Sequence, residues 1–137
     1  MNANAAAGAE IIPATAQQTI LVIDDDPAMR TILSFILKAF GYLALVASDG
    51  EEALQVARNH PEIRAIILDV VMRGLSGKKL ADQLQSNLPK AVILFCSGHP
   101  LEMMSRHGID LDSAHFIQKP CQPGALQRKI EELLVSG

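Results

Sequence analysis

The chain has 137 residues, 49% hydrophobic and 4% aromatic, which suits one domain with an aliphatic core. A formal net charge of −3 without a long basic run argues against nucleic acid as the main partner. No apolar stretch reaches transmembrane length, the first residues lack the basic and apolar regions expected of a signal peptide, and two isolated cysteines make neither a disulfide framework nor a zinc site. A cytoplasmic protein with no membrane partner is expected.

Residues 1–17 are Ala-rich with Asn, Gly, Pro and Gln, and predict a flexible N-terminal tail before a domain over 18–137. Thr19 to Asp24 predicts a first strand. Asp26 and Pro27 then cap and open a helix, along which Met29, Ile32, Leu33, Ile36, Leu37 and Phe40 recur at helical spacing until Gly41. Tyr42 to Ala47 predicts the second strand. Ser48-Asp49-Gly50 starts a helix with Ala53, Leu54 and Ala57 inward, ending before Pro61. Arg64 to Asp69 is the third strand. A loop over Arg73 to Gly77 leads to a helix through Leu80 and Leu84. Ala91 to Cys96 is the fourth strand, Pro100 to His107 a short helix, and His115 to Gln118 the fifth strand. Pro123 opens a last helix with Leu126, Ile130, Leu133 and Leu134 inward. Right-handed crossovers in such an alternation place helices on both faces of a parallel sheet.

Polar residues gather where these strands end. Asp24, Asp25 and Asp26 follow the first strand, Asp69 closes the third, Ser97 follows the fourth, and Lys119-Pro120 follows the fifth. The crevice beyond the carboxyl ends of an open α/β sheet is where ligands bind. Carboxylates crowded there repel one another unless a cation joins them, and a hard, oxygen-seeking ion such as Mg²⁺ answers that need. The residues therefore read as a Mg²⁺ site with one carboxylate available to a phosphoryl group.

The segments ILVIDDDPAMR, IILDVVMRGLSG, ILFCSG and FIQKPCQPGAL, in this order, closely resemble the receiver domain of bacterial two-component response regulators. The resemblance covers about residues 19–135. It implies a flavodoxin-like fold, a five-stranded parallel sheet in the order 2-1-3-4-5. It implies that Asp69 is the phosphoacceptor, that Asp25 binds Mg²⁺ directly with Asp24 as its partner, and that the Val71 carbonyl completes the protein ligands. Ser97 matches the switch hydroxyl, Phe116 the rotating aromatic, and Lys119 the lysine that pairs with acceptor and phosphate. The Lys119–Pro120 bond is typically cis in such proteins. Val71 and His99 match the positions that tune hydrolysis of the acyl phosphate. The implied partners are a histidine kinase or histidine phosphotransfer protein, with output either through a downstream protein target on the face of the fourth helix, fifth strand and fifth helix or by passing the phosphoryl group onward in a phosphorelay. A stand-alone receiver, monomeric or weakly dimeric, that turns over no metabolite is expected. The chain departs from the usual pattern at Arg73, where Pro is common, at Ser97, where Thr is frequent, and at Cys121, which replaces a common aromatic.

Other readings compete. Asp24 and Asp26 have the spacing of an aspartyl phosphatase of haloacid dehalogenase type, although Pro27-Ala28 breaks its usual continuation. A flavodoxin-like electron carrier is opposed by the acidic first loop, which would repel a flavin phosphate. A phosphate-independent binding module is opposed by the complete acidic site. Lys78 and Lys79 after Gly77 do not make a P-loop, because Met72 stands where its first Gly belongs. Asp26 is read as a helix cap and Arg30 as a solvated charge. His60, His107 and His115 are read as surface or loop residues, Met103 and Met104 as packing for the fourth helix. Cys96 and Cys121, near the ends of neighbouring strands, are read as buried free thiols rather than a redox pair.

Overall fold

The computed structural model describes residues 18–98, 100–110 and 114–136. The expected tail over residues 1–17 lies outside them. Strands and helices alternate as β1 (Thr19–Ile23), α1 (Pro27–Ala39), β2 (Leu43–Ala47), α2 (Gly50–Asn59), β3 (Ile63–Asp69), α3 (Gly77–Asn87), β4 (Val92–Ser97), α4 (Pro100–Arg106), β5 (His115–Gln118) and α5 (Pro123–Ser136). The five strands form one parallel sheet in the order β2-β1-β3-β4-β5, as the resemblance implied.

Alternation along each strand divides the core between the two faces of the sheet. Leu21 and Ile23 of β1 join Ile66 and Leu68 of β3, where they meet Ala53, Leu54 and Ala57 of α2 and Leu80 and Leu84 of α3. Ile20 and Val22 join Ala65 and Ile67 on the other face, against Leu33, Ile36 and Leu37 of α1 and Leu126, Ile130 and Leu133 of α5. Each Leu, Ile or Val among these stabilises the fold by roughly 1.5–3 kcal/mol when fully buried. No helix among the described residues is long and apolar enough to cross a membrane.

The helix starts follow from local chemistry. The Asp26 carboxylate caps α1 by accepting the Ala28 N–H at 2.9 Å, and Pro27 occupies the first turn. Asp49 caps α2 by accepting the Glu52 N–H at 2.8 Å, while the Glu52 carboxylate reaches back to the Ser48 N–H at 2.6 Å. Gly50 permits a close approach: a Cβ there would stand 2.4 Å from the Leu75 carbonyl oxygen, in the loop between β3 and α3.

Two expectations need correction. Ile32, expected on the stripe of α1, is 50% exposed, so the fully buried residues of that helix are Leu33, Ile36 and Leu37. Ile32 precedes Leu33 by one residue, about 100° around the helix, which carries it to the flank of the stripe. Strand β4 extends to Ser97, so the hydroxyl belongs to the last residue of the strand rather than the loop.

Candidate functional site

Strand order and register build the site. The chain places β2 on one side of β1 and β3 on the other, so the order reverses between β1 and β3 and leaves a crevice there. Ile23 pairs with Leu68, so the next rung sets Asp24 opposite Asp69. Asp69 pairs in turn with Cys96, which puts Ser97 one rung further out. Ser97 pairs with Gln118, and Lys119 follows it. The Lys119 N–H donates to the Ser97 carbonyl at 2.8 Å, and Lys119–Pro120 is cis, as expected.

Asp24, Asp25 and Asp69 each offer a carboxylate oxygen, and these atoms lie within 4.8 Å of one another. Asp24 and Asp69 are buried, whereas Asp25 is exposed. The Lys119 ammonium stands 3.0 Å from Asp24 Oδ2 and 3.4 Å from Asp69 Oδ1. Asp24 Oδ1 accepts the Asp26 N–H at 2.9 Å, and Asp69 Oδ1 accepts the Val71 N–H at 3.3 Å. Ser97 is buried at the rim, and Phe116 is half-buried on β5 against the α2–α3 side of the core. Val71 is 47% exposed on the loop after β3. His99 lies outside the described residues.

The charges of these groups are interdependent. Burial, reinforced by the charge of Asp24, pushes the Asp69 carboxyl up to about 6, against the pull of Lys119 and the Val71 N–H. Burial alone would lower Lys119. Its hydrogen bond to Asp24 and the charges of Asp69 and Asp24 outweigh that and hold the ammonium above the ordinary lysine value. A carboxyl raised by burial and by a neighbouring carboxylate marks an incompletely neutralised acidic cluster. Oxygen donors of this kind suit a hard divalent cation, so the residues fit Mg²⁺.

Sequence reasoning missed the part played by Arg30. Its guanidinium donates to the Asp24 carbonyl at 2.8 Å, so it braces the acidic loop rather than standing free in solvent. Its place one turn into α1 was the sole sequence cue; the side chain's direction toward the loop is set by the fold. The pair needed by the phosphatase reading is not assembled: the Asp26 carboxylate turns to cap α1, while both Asp24 oxygens are engaged. Lys78 pairs with Asp82 on the exposed face of α3. Cys96 is buried, but Cys121 is only half-buried, and their sulphurs lie 3.3 Å apart. The hydrogen bond between the two thiols lowers Cys121, helped by Lys119 and opposed by burial, and the same contact and burial raise Cys96.

Comparison with known proteins agrees with this geometry. Residues 20–131 match the response regulator receiver domain. The chain is 33% identical over 121 residues to the probable transcriptional regulator ycf27 of Cyanophora paradoxa, covering 86% of this chain and 48% of that protein. It is 32% identical over 116 residues to the alkaline phosphatase synthesis transcriptional regulatory protein PhoP of Bacillus subtilis, covering 84% and 48%. Among solved structures, the receiver domain of the hybrid histidine kinase CckA superposes with a TM-score of 0.71 at 32% identity, covering 85% of this chain and 98% of that one. The chain thus spans about half the length of the curated relatives it matches. The charge argument against nucleic acid accordingly extends to these residues alone.

Proposed function

The chain belongs to the response regulator receiver family, whose members are phosphoacceptor signalling domains, and from that premise we propose that Asp69 is the residue that accepts the phosphoryl group. The observation that carries this reading is the Lys119 ammonium held between Asp24 and Asp69 at 3.0 and 3.4 Å, inside a cluster of three carboxylates. The donor is the phosphohistidine of a histidine kinase or phosphotransfer protein. The Asp69 carboxylate attacks phosphorus, the P–N bond to histidine breaks, and a P–O bond to Asp69 forms.

Phosphoryl transfer depends on positioning and on neutralising the charge spread over the equatorial oxygens. Asp24, Asp25, Asp69 and the Val71 carbonyl are the groups that would hold Mg²⁺. The ion would neutralise the clustered carboxylates and the phosphoryl oxygens. Lys119 supplies a fixed positive charge beside the acceptor. Ser97, at the end of β4, donates its hydroxyl to the added phosphate, and Phe116 turns toward the space the hydroxyl leaves. This is a two-state element biased by local charge. The face formed by α4, β5 and α5 then meets a protein target. Apart from its own phosphorylation and dephosphorylation, the domain turns over no metabolite, and a cytoplasmic setting fits this role.

Val71 has no group to orient a water, whereas His99 does, so His99 governs the lifetime of the acyl phosphate. His99→Ala should change the decay rate, and an unchanged rate would remove that role. The acceptor itself is tested by intact-mass spectrometry after incubation with acetyl phosphate and Mg²⁺. One phosphate should appear on the wild type and none on Asp69→Asn. An adduct that survives the substitution would shift the acceptor to Asp24 and revive the phosphatase reading.

A further inference from the structure

We propose that Cys96 and Cys121 form a reversible intramolecular disulfide, a modification site that ties the end of β4 to the segment carrying Lys119. Three features converge on it. The sulphurs already touch at 3.3 Å, so they need to approach by only about 1 Å to reach the ~2.05 Å of a disulfide bond. They belong to segments that adjoin the acceptor: Cys96 shares a rung with Asp69 and directly precedes Ser97, while Cys121 lies two residues beyond Lys119. The two thiols also differ in access. Cys96 is 1% exposed, whereas Cys121 is half-buried and open to a small oxidant.

The chemistry closes with a peroxide as the oxidant. The Cys121 sulphur, as thiolate, attacks one peroxide oxygen; the O–O bond breaks, hydroxide leaves, and Cys121 becomes a sulfenic acid. The Cys96 sulphur then attacks the Cys121 sulphur, the S–O bond breaks, and water leaves with the thiol proton. Together the two sulphurs give up two electrons, and hydrogen peroxide is reduced to water. A dithiol reductant reverses the bond by exchange. In a reducing compartment such a bond is a transient sensor rather than a structural staple.

The consequence for signalling rests on the proposed roles of Ser97 and Lys119. A bond from Cys96 to Cys121 restrains these two residues relative to each other, so the oxidised protein should load phosphate from acetyl phosphate more slowly than the reduced one.

The test uses the full chain treated with hydrogen peroxide, followed by thiol alkylation and intact-mass spectrometry. The monomer should lose two hydrogen masses and both alkylatable thiols, and dithiothreitol should restore them. Cys121→Ser, checked for an unchanged thermal melt, should show no such loss. A disulfide-linked dimer, or a monomer that gains oxygen while Cys96 remains alkylatable, would overturn the proposal. Equal phosphate loading of the oxidised and reduced forms would overturn the coupling. Loading absent from the reduced form as well would count against the acceptor reading instead.

Discussion

The two sides of the site rest on unequal foundations. Asp24 follows β1 and Asp69 ends β3, strands that run through the middle of the sheet, and every residue of β1 and all but Arg64 of β3 is buried. Lys119 follows β5, an edge strand of four residues with His115 and Gln118 exposed and Phe116 and Ile117 only half-buried. The acids therefore stand on the part of the fold with the most packing to lose, and the ammonium and the aromatic on the part with the least. Regions with little buried apolar contact open at lower free energy than the core. On the proposed reading, a signalling site gains from this asymmetry: the phosphate is received at a fixed place and read out where movement costs little.

The sharpest break of that comparison comes from matched truncations. Ile67→Ala, at the fully buried centre of β3, should cost about 3–5 kcal/mol, and Ile117→Ala on β5 less than about 2 kcal/mol, by urea denaturation. Equal costs would erase the distinction between the two sides. Lys119→Met should come next. It removes the cation between two buried carboxylates and should destabilise the metal-free protein by about 3 kcal/mol while severely slowing phosphoryl uptake. Gly50→Ala should cost about 1–3 kcal/mol, because its Cβ would press on the Leu75 carbonyl in the loop that follows Asp69.

The smallest effect concerns pH. Folded Asp69 holds its proton up to about pH 6, whereas the unfolded chain releases it near the ordinary value of 3.8. Between those values the native state binds more protons, so this carboxyl lowers stability as pH rises through the window. In metal-free buffer, Asp69→Asn should therefore stabilise the fold by roughly 1 kcal/mol at pH 7, after allowance for solvent screening, and the gain should vanish below about pH 4. A gain that persists into acid would assign the effect to packing instead.

Much of this was legible in the sequence. Continuous aliphatic runs such as Ile20 to Ile23 and Ile66 to Leu68 mark strands buried on both faces, and the polar residues that terminate them mark one rim. The strand order came through the resemblance, since apolar runs carry no information about which strands are neighbours. Contacts that depend on side-chain direction were not legible. Arg30 reads as an ordinary helix-surface charge until the chain turns it back onto the Asp24 carbonyl. Ile32 shares the helical spacing of the stripe yet faces away from its centre. Cys96 and Cys121 lie 25 residues apart, and only the pairing of β4 with β5 and the path of the loop beyond β5 bring their sulphurs together.

The measurement that tests the division of labour most directly is hydrogen–deuterium exchange on the protein before and after phosphorylation, with the extent of modification established by mass. Exchange should change in the stretch from Ser97 to Lys119 and stay the same in β1 and β3. Comparable changes in β1 and β3, or none anywhere in a fully phosphorylated sample, would contradict a fixed acceptor side and a mobile readout side.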